Sequence, residues 1–300
     1  MFNKITIIGC GLIGSSILRG IVKKKIAKNI SIFDNSKIVR KKIKKIKLPV
    51  IVENNIFESV SQSDLIIISS PISSYKKIIF GIKDNLKLNS IIIDVASAKN
   101  QSIEIIEKNI EKKNISWIPC HPISGSEVSG PEYGKADLFK NKWCIITPTK
   151  KSLKKDIKKI IIFWKRLGSK IKIMKKKEHD QIFSITSHLP HIIAYNLVKT
   201  AMDLEKKGSN SKIVNFSAGG LRDFSRIASS NEIMWKDISI ANNKFIIKNI
   251  NYFIKNLNIL KKLILKKDGN KLKNLFKKTK IIRKRIILAK QDLDSPDFGR

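Results

Sequence analysis

The stretch Ile5-Thr6-Ile7-Ile8-Gly9-Cys10-Gly11-Leu12-Ile13-Gly14-Ser15-Ser16 decides the fold. Four residues of strand character run straight into Gly-x-Gly-x-x-Gly, and a helix opens through Ser15 and Ser16. In that setting Gly9 permits a tight turn and Gly11 lets the backbone approach a pyrophosphate. Gly14 lets helix and strand pack closely, and the helix N-terminus faces the negative charge. The run Gly9 to Gly14, with Leu12 and Ile13 inside it, is therefore a candidate dinucleotide cradle, although a bare glycine turn without a ligand has the same spelling. Asp34 closes the run Ser31-Ile32-Phe33-Asp34, at about the twenty-residue offset of an acid that holds the adenosine ribose hydroxyls. A carboxylate there repels a 2′-phosphate, which favours NAD over NADP, with Lys37 and Arg40 close by in sequence.

Outward from this stretch, short Ile- and Val-rich runs alternate with helical ones. Strands are expected near 4–8, 30–34, 50–52, 64–69, 90–95, 115–120, 143–147 and 170–173. After them apolar residues recur three and four apart, as in Phe245, Ile246, Ile250, Phe253, Leu257, Leu260 and Ile264, so the remainder is helical. The expected architecture is α/β: a Rossmann-type parallel-sheet domain over 1–173, an all-helical domain over 174–291, and an extended tail over 292–300.

Composition narrows the functional classes. A net charge of +37 suggests a polyanion partner, yet lysine supplies nearly all of it and is spread along the chain with no aromatic-interleaved basic stripe. Neither nucleic acid nor membrane is expected as a partner. No apolar run reaches the roughly 18 to 20 residues needed to span a bilayer. Cys10, Cys120 and Cys144 are odd in number and lack a C-x-x-C, which argues against disulfides and zinc and for a reducing compartment, the cytoplasm.

The chemistry gathers at the carboxyl ends of the predicted strands, where open parallel sheets bind ligands. Ser69, Ser70 and Pro71 end one strand and should lie under the cofactor; Ser97 follows another, though an ordinary helix N-cap fits its spacing equally. His121, in Cys120-His121-Pro122-Ile123-Ser124-Gly125-Ser126-Glu127, ends a third and falls beside the expected nicotinamide. Strand alternation sends Cys120 to the opposite face, into the core. The other three histidines share one helical stretch: His179, then His188 and His191 on one face, with Pro190 interrupting the helix between them. No third ligand with metal-like spacing accompanies that pair, so no metal is expected. Arg222 and Arg226 stand one turn apart behind Gly219-Gly220, suited to bidentate capture of carboxylates, or alternatively to a surface face paired with Asp223.

Taken together, GCGLIGSS, DVASAK, CHPISGSE with SGPE, HDQIFSITSHLPHIIAYNL, GGLRDFSRIASSNEIMW and the closing SPDFGR resemble the prephenate dehydrogenase family, in particular cyclohexadienyl dehydrogenases acting on prephenate, arogenate or both. The resemblance implies an NAD-dependent oxidative decarboxylase of tyrosine biosynthesis, a homodimer joined through the helical domain. It implies that His121 contacts the substrate's ring hydroxyl as catalytic base and that Ser97 helps position that group. His191 and Arg226 would bind the carboxylates or side chain of a dicarboxylate substrate, with Arg222, Glu127 and His188 at the cleft. Ser124 and Ser126 stand where family members often carry Ala and Thr. Two other readings are a β-hydroxyacid dehydrogenase, whose catalytic lysine is replaced here by histidines, and a non-catalytic NAD-sensing or polyanion-binding protein.

Overall fold

A computed structural model of the chain describes residues 2–110, 114–207 and 213–289. The expected tail over 292–300, with its SPDFGR, lies outside the described residues. Eight strands form one sheet: β1 (Phe2–Ile8), β2 (Ala27–Phe33), β3 (Ile51–Val52), β4 (Leu65–Ile68), β5 (Ile91–Asp94), β6 (Ser116–Pro122), β7 (Trp143–Ile146) and β8 (Lys170–Ile173). Six helices accompany them: α1 (Leu12–Lys24), α2 (Lys37–Lys45), α3 (Ile56–Val60), α4 (Tyr75–Ile82), α5 (Lys99–Asn109) and α6 (Lys154–Arg166). The order β3-β2-β1-β4-β5-β6-β7-β8 reverses direction between β1 and β4, the switch point beside which dinucleotides bind in doubly wound sheets.

Alternation along the strands builds two cores, one on each face. Ile5, Ile7, Leu65, Ile67, Ile91, Ile93, Ile118 and Cys120 pack with residues of α1 and α6 on one side. Ile66, Ile68, Ile92 and Trp117 pack with residues of α4 and α5 on the other. Cys120 is thus core, on the face opposite His121, as alternation requires; all three cysteines are free and buried.

The sheet departs from all-parallel at one place. β7 runs antiparallel to β6, with His121 opposite Ile145 and Pro122 opposite Cys144. A parallel neighbour needs a crossover that returns the chain to the far end of the sheet. The chain from 123 to 142 contains no α-helix and makes no such return. It stays at the carboxyl-end rim and so delivers Glu127 there.

From Lys176 the chain is helical: α7 (Lys176–Phe183), a π-helical turn (Ser184–His188), α8 (Leu189–Lys207), α9 (Gly219–Ala228), α10 (Glu232–Ala241), α11 (Asn243–Leu265) and α12 (Gly269–Leu288). Pro190 was expected to interrupt this helix, but the turn before it absorbs the proline. Leu189 N–H donates to Ser184 O, an i to i+5 bond, and the helix runs on. Among the described residues α12 buries no side chain and α11 only Ile246, while Leu257, Ile264, Phe276 and Ile282 stand exposed. An apolar face of that extent marks a contact surface. No described helix is long and apolar enough to cross a membrane.

Two glycines of the first turn are fixed by geometry. Gly9 has φ +89°, and a Cβ there would stand 2.6 Å from Ser69 O; a Cβ on Gly14 would stand 2.1 Å from Gly9 O. A Cβ on Gly11 meets nothing within 4 Å. Gly14→Ala should therefore cost about 1–3 kcal/mol by overpacking, read as a fall in the denaturation midpoint, whereas Gly11→Ala should leave that midpoint unchanged.

Candidate active site

A cavity of about 670 Å³ lies between the carboxyl edge of the sheet and the helical layer. One wall is Gly11, Leu12, Ile13, Ser69, Ser70, Pro71 and Ser97; His121 and Glu127 follow, and His191, Arg226 and Trp235 close it from the helical side. Gly9 and Gly14 shape the turn beneath it. Asp34 stands just beyond β2, its two carboxylate oxygens accepting Cys10 N–H at 2.8 Å and Ser36 N–H at 2.8 Å. Arg40 donates to the backbone carbonyls of Asp34 and Asn35 and lies over the Phe33 ring. Burial, with the Asp34 charge beside it, pushes the Cys10 thiol up to about 12, so this cysteine of the glycine turn is inert.

The open space at Gly11 and the buried, unpartnered hydroxyl of Ser69 fit a cofactor phosphate backbone laid across the turn. The indole N–H of Trp235 is likewise buried without a partner in the opposite wall.

His121 is 7% exposed and belongs to a chain of three side chains. Its Nδ1 lies 2.8 Å from Nε2 of His179, and Nδ1 of His179 lies 2.8 Å from Oδ1 of Asp180. Asp180 also accepts from Lys99 N–H (2.7 Å), Asn100 N–H (2.8 Å) and the Asn100 side-chain amide (2.6 Å). Burial alone would raise its pKa, but the bonds from His179, Lys99 and Asn100 outweigh that and keep it ionised, below the ordinary carboxylate range. An ionised carboxylate only accepts, so Nδ1 of His179 is a donor and its Nε2 an acceptor. His121 Nδ1 must then carry a hydrogen, which leaves its Nε2 as a bare lone pair at the cavity. Burial first, then the neighbouring His179 and Lys99, hold the His121 pKa well below the ordinary imidazole value.

Behind His121 sits a buried ion pair, both partners 0% exposed. Lys99 Nζ donates to both oxygens of Asp94 at 2.8 Å and to Cys120 O at 2.7 Å, while Tyr75 O–H donates to Asp94 at 3.2 Å. This ties β5 to β6 one residue before His121.

Glu127 and Arg226 approach to 3.7 Å across the mouth, from the loop and from α9. The Glu127 carboxyl lies below its ordinary range, through its own backbone N–H and the Ser126 hydroxyl 2.9 Å away. Ser126 thus steadies the acid next to it. His191 stacks on Trp235 with centroids 3.8 Å apart and donates from Nδ1 to Ser187 O at 2.9 Å, leaving Nε2 free.

Two of the expected residues stand outside the cavity, and the alternative reading of Ser97 does not hold. His188 does not line the cavity: it is fully buried, its Nδ1 meets Asn242 at 3.1 Å, and desolvation lowers its pKa to about 4. Arg222, one turn before Arg226 on the same face of α9, is exposed and lies beyond the residues that line the cavity. Ser97 is not the cap of α5; the cap position is Ala98, and Asp180 of α7 satisfies the first N–H groups instead. The sequence motifs assign no site role to His179, Asp180, Lys99, Asp94 or Trp235. A His-Asp pair beside the single histidine stretch was the available signal for the first two.

A doubly wound sheet with its glycine turn at the switch point, closed by helices over a buried imidazole, is the arrangement of a nucleotide-dependent dehydrogenase. Two family models match the chain, the prephenate dehydrogenase nucleotide-binding domain over residues 18–173 and the prephenate dehydrogenase dimerization domain over residues 175–278. The cyclohexadienyl dehydrogenase of Zymomonas mobilis is 33% identical over 93% of this chain and 94% of its own length. The prephenate dehydrogenase of Lactococcus lactis is 30% identical over 99% of this chain and 80% of its own. A crystal structure of Aquifex aeolicus prephenate dehydrogenase, in complex with hydroxyphenyl propionate and NAD+, superimposes with a TM-score of 0.87 at 29% identity, covering 95% of this chain and 99% of that one. The chain belongs to the prephenate dehydrogenase family.

Removing one member of a buried ion pair strands the other. Lys99→Met should cost about 3–5 kcal/mol of folding stability, measured as a lowered urea midpoint at unchanged m-value.

Proposed function

We propose that this protein oxidatively decarboxylates prephenate or arogenate with NAD as hydride acceptor, as a cytoplasmic homodimer, on the route to tyrosine. The observation that carries the reading is a bare imidazole nitrogen, Nε2 of His121, facing the same cavity as the open glycine turn. The relatives' names and the ligands of the Aquifex aeolicus complex agree with it. The nucleotide falls to residues 1–173, and the substrate wall and dimer contact to 174–291. The exposed apolar faces of α11 and α12 support a second copy seated there.

In this reading Gly9 to Gly14 and Ser69 to Pro71 hold the cofactor, and Asp34 takes the adenosine ribose. The bound nicotinamide supplies the acceptor for a hydride. His121 Nε2 takes the proton from the ring hydroxyl while the carbon bearing it gives up that hydride. The ring carboxylate departs as carbon dioxide, its bonding electrons enter the ring, and aromatisation draws the step forward. Ser97, also on the cavity wall, orients the hydroxyl. Arg226 suits a substrate carboxylate because its present partner, Glu127, is held at 3.7 Å in an exposed pair of small worth. His191, its Nδ1 committed to Ser187, offers Nε2 to the side chain.

NADH formation from each of the two substrates, with NADP in parallel, tests the activity; no turnover of either substrate would refute it. His121→Asn should lower kcat by about 10² to 10⁴ with NAD affinity near wild type. His121 acts as a base only when neutral, and its pKa is depressed, so protonation inactivates it only in acid. The acid limb of kcat/KM should therefore fall below the ordinary imidazole value of about 6.5, with activity flat through neutrality. Arg226→Ala should chiefly raise KM, by about 10-fold or more if a charge-assisted bond is lost; an unchanged KM would mean the carboxylate is held elsewhere.

A further inference from the structure

The reaction proposed above imposes a condition on the base. The hydroxyl proton leaves as the carbon–oxygen bond becomes a carbonyl. Loss of carbon dioxide then turns that oxygen into a phenolate, which must regain a proton to become the phenol product. The proton is borrowed and returned within one turnover, and none is released to solvent. A base for such chemistry needs a place to keep the proton, with no outlet.

We propose that His179 and Asp180 are that place: the proton taken at Nε2 of His121 is matched by transfer of the Nδ1 proton of His121 to Nε2 of His179, and the sequence reverses when the phenolate is reprotonated. This rests on the function proposed above and concerns two positioning residues that do not line the cavity. Bonds balance at each step. His121 gains N–H at Nε2 and gives up N–H at Nδ1, His179 gains N–H at Nε2 while keeping Nδ1–H on Asp180, and no redox change occurs among the three.

The geometry suits the transfer. Both links are 2.8 Å, and His179 and Asp180 are 0% exposed. Phe183 packs against both imidazoles, centroids 4.5 Å from His179 and 4.9 Å from His121, fixing the ring planes and excluding water. Four donors hold the Asp180 carboxylate in place, two of them backbone N–H groups at the start of α5, where the helix field favours an anion.

The surrounding charges favour His179 as the seat of the cation. Facing it are Asp94 of β5, Lys99 of α5, His121 of β6, His188 of the π-helical turn and Asp180 of α7. Lys99 and Asp94 form a closed pair, so Asp180 is the uncompensated charge. Burial lowers the basicity of both imidazoles, and the charge of Lys99 adds to that for both; the hydrogen bond and charge of Asp180, and the charge of Asp94, oppose it for His179, whereas no carboxylate opposes it for His121, where His179 and His188 lower it further.

The chain has four histidines, so selective 15N labelling and NMR titration of the wild-type protein can assign which ring protonates first. The store requires His179 to gain its proton at higher pH than His121; the reverse order overturns it, whether or not either substrate is turned over. His179→Gln keeps a hydrogen bond on each side but cannot hold a proton. The expected result is normal NAD binding and KM, a fall in kcat of about 10-fold or more, and an acid limb displaced to lower pH. A purely orienting role predicts wild-type kcat, or a lower kcat with the limb unmoved, and either result would refute the store.

Discussion

The carboxylate of Asp180 is the constraint on which the site depends. It belongs to the first helix after the sheet, yet its hydrogen bonds reach back to the start of α5 and so fasten the helical layer to the sheet at the cleft. A buried carboxylate without such partners would neutralise or reject its position. With four donors it stays charged, and a charged carboxylate dictates the tautomer of His179 and, one bond further, that of His121. A single anion therefore decides both how the helical layer is fastened to the sheet and which nitrogen of His121 is bare.

Much of this was legible in the sequence because it is local. The eight strands follow from short Ile- and Val-rich runs, and the glycine turn from its place between strand and helix. His121 and Ser97 reach the cavity because strands of a parallel sheet end on one side. What stayed hidden depends on contacts between distant segments. His179 lies 58 residues from the imidazole it touches, and Asp180 lies 81 from the N–H it caps. Lys99 looked like one lysine among many, although its ammonium is sealed between Asp94 and Cys120 O. The reversed β7 was hidden for the opposite reason, since an Ile-rich run states that a strand exists and nothing about its direction.

The pair His188 and His191 shows how one extra residue in a helical turn redistributes chemistry. On a regular helix His188 and His191 would share a face, and both do touch Trp235, but differently: His191 stacks on its face and His188 meets its edge with centroids 6.2 Å apart. The π-helical turn before Pro190 widens the helix locally, sends His188 inward to Asn242 and leaves His191 in the cavity wall. Proline removes a donor that a regular turn would need, and the i to i+5 bond from Leu189 accommodates that loss without a break. The same irregularity therefore keeps the helix continuous and places only one of the two rings where a ligand can reach it.

Charge on this molecule acts at two ranges. The lysine surplus surrounds the whole chain with a positive field, which draws any dicarboxylate inward but is screened over about 10 Å at ordinary ionic strength and cannot choose among anions. The few charges at the mouth act at contact range. Arg226 already has a partner in Glu127, so in the proposed reading a substrate carboxylate at Arg226 competes with an acid from the loop between β6 and β7. That loop lies there because β7 runs backward, and the carboxyl it carries is kept ionised by Ser126 and by its own backbone. The antiparallel strand thus places a charge at the mouth of the cleft as well as shaping it, and it does so independently of the buried chain of His121, His179 and Asp180.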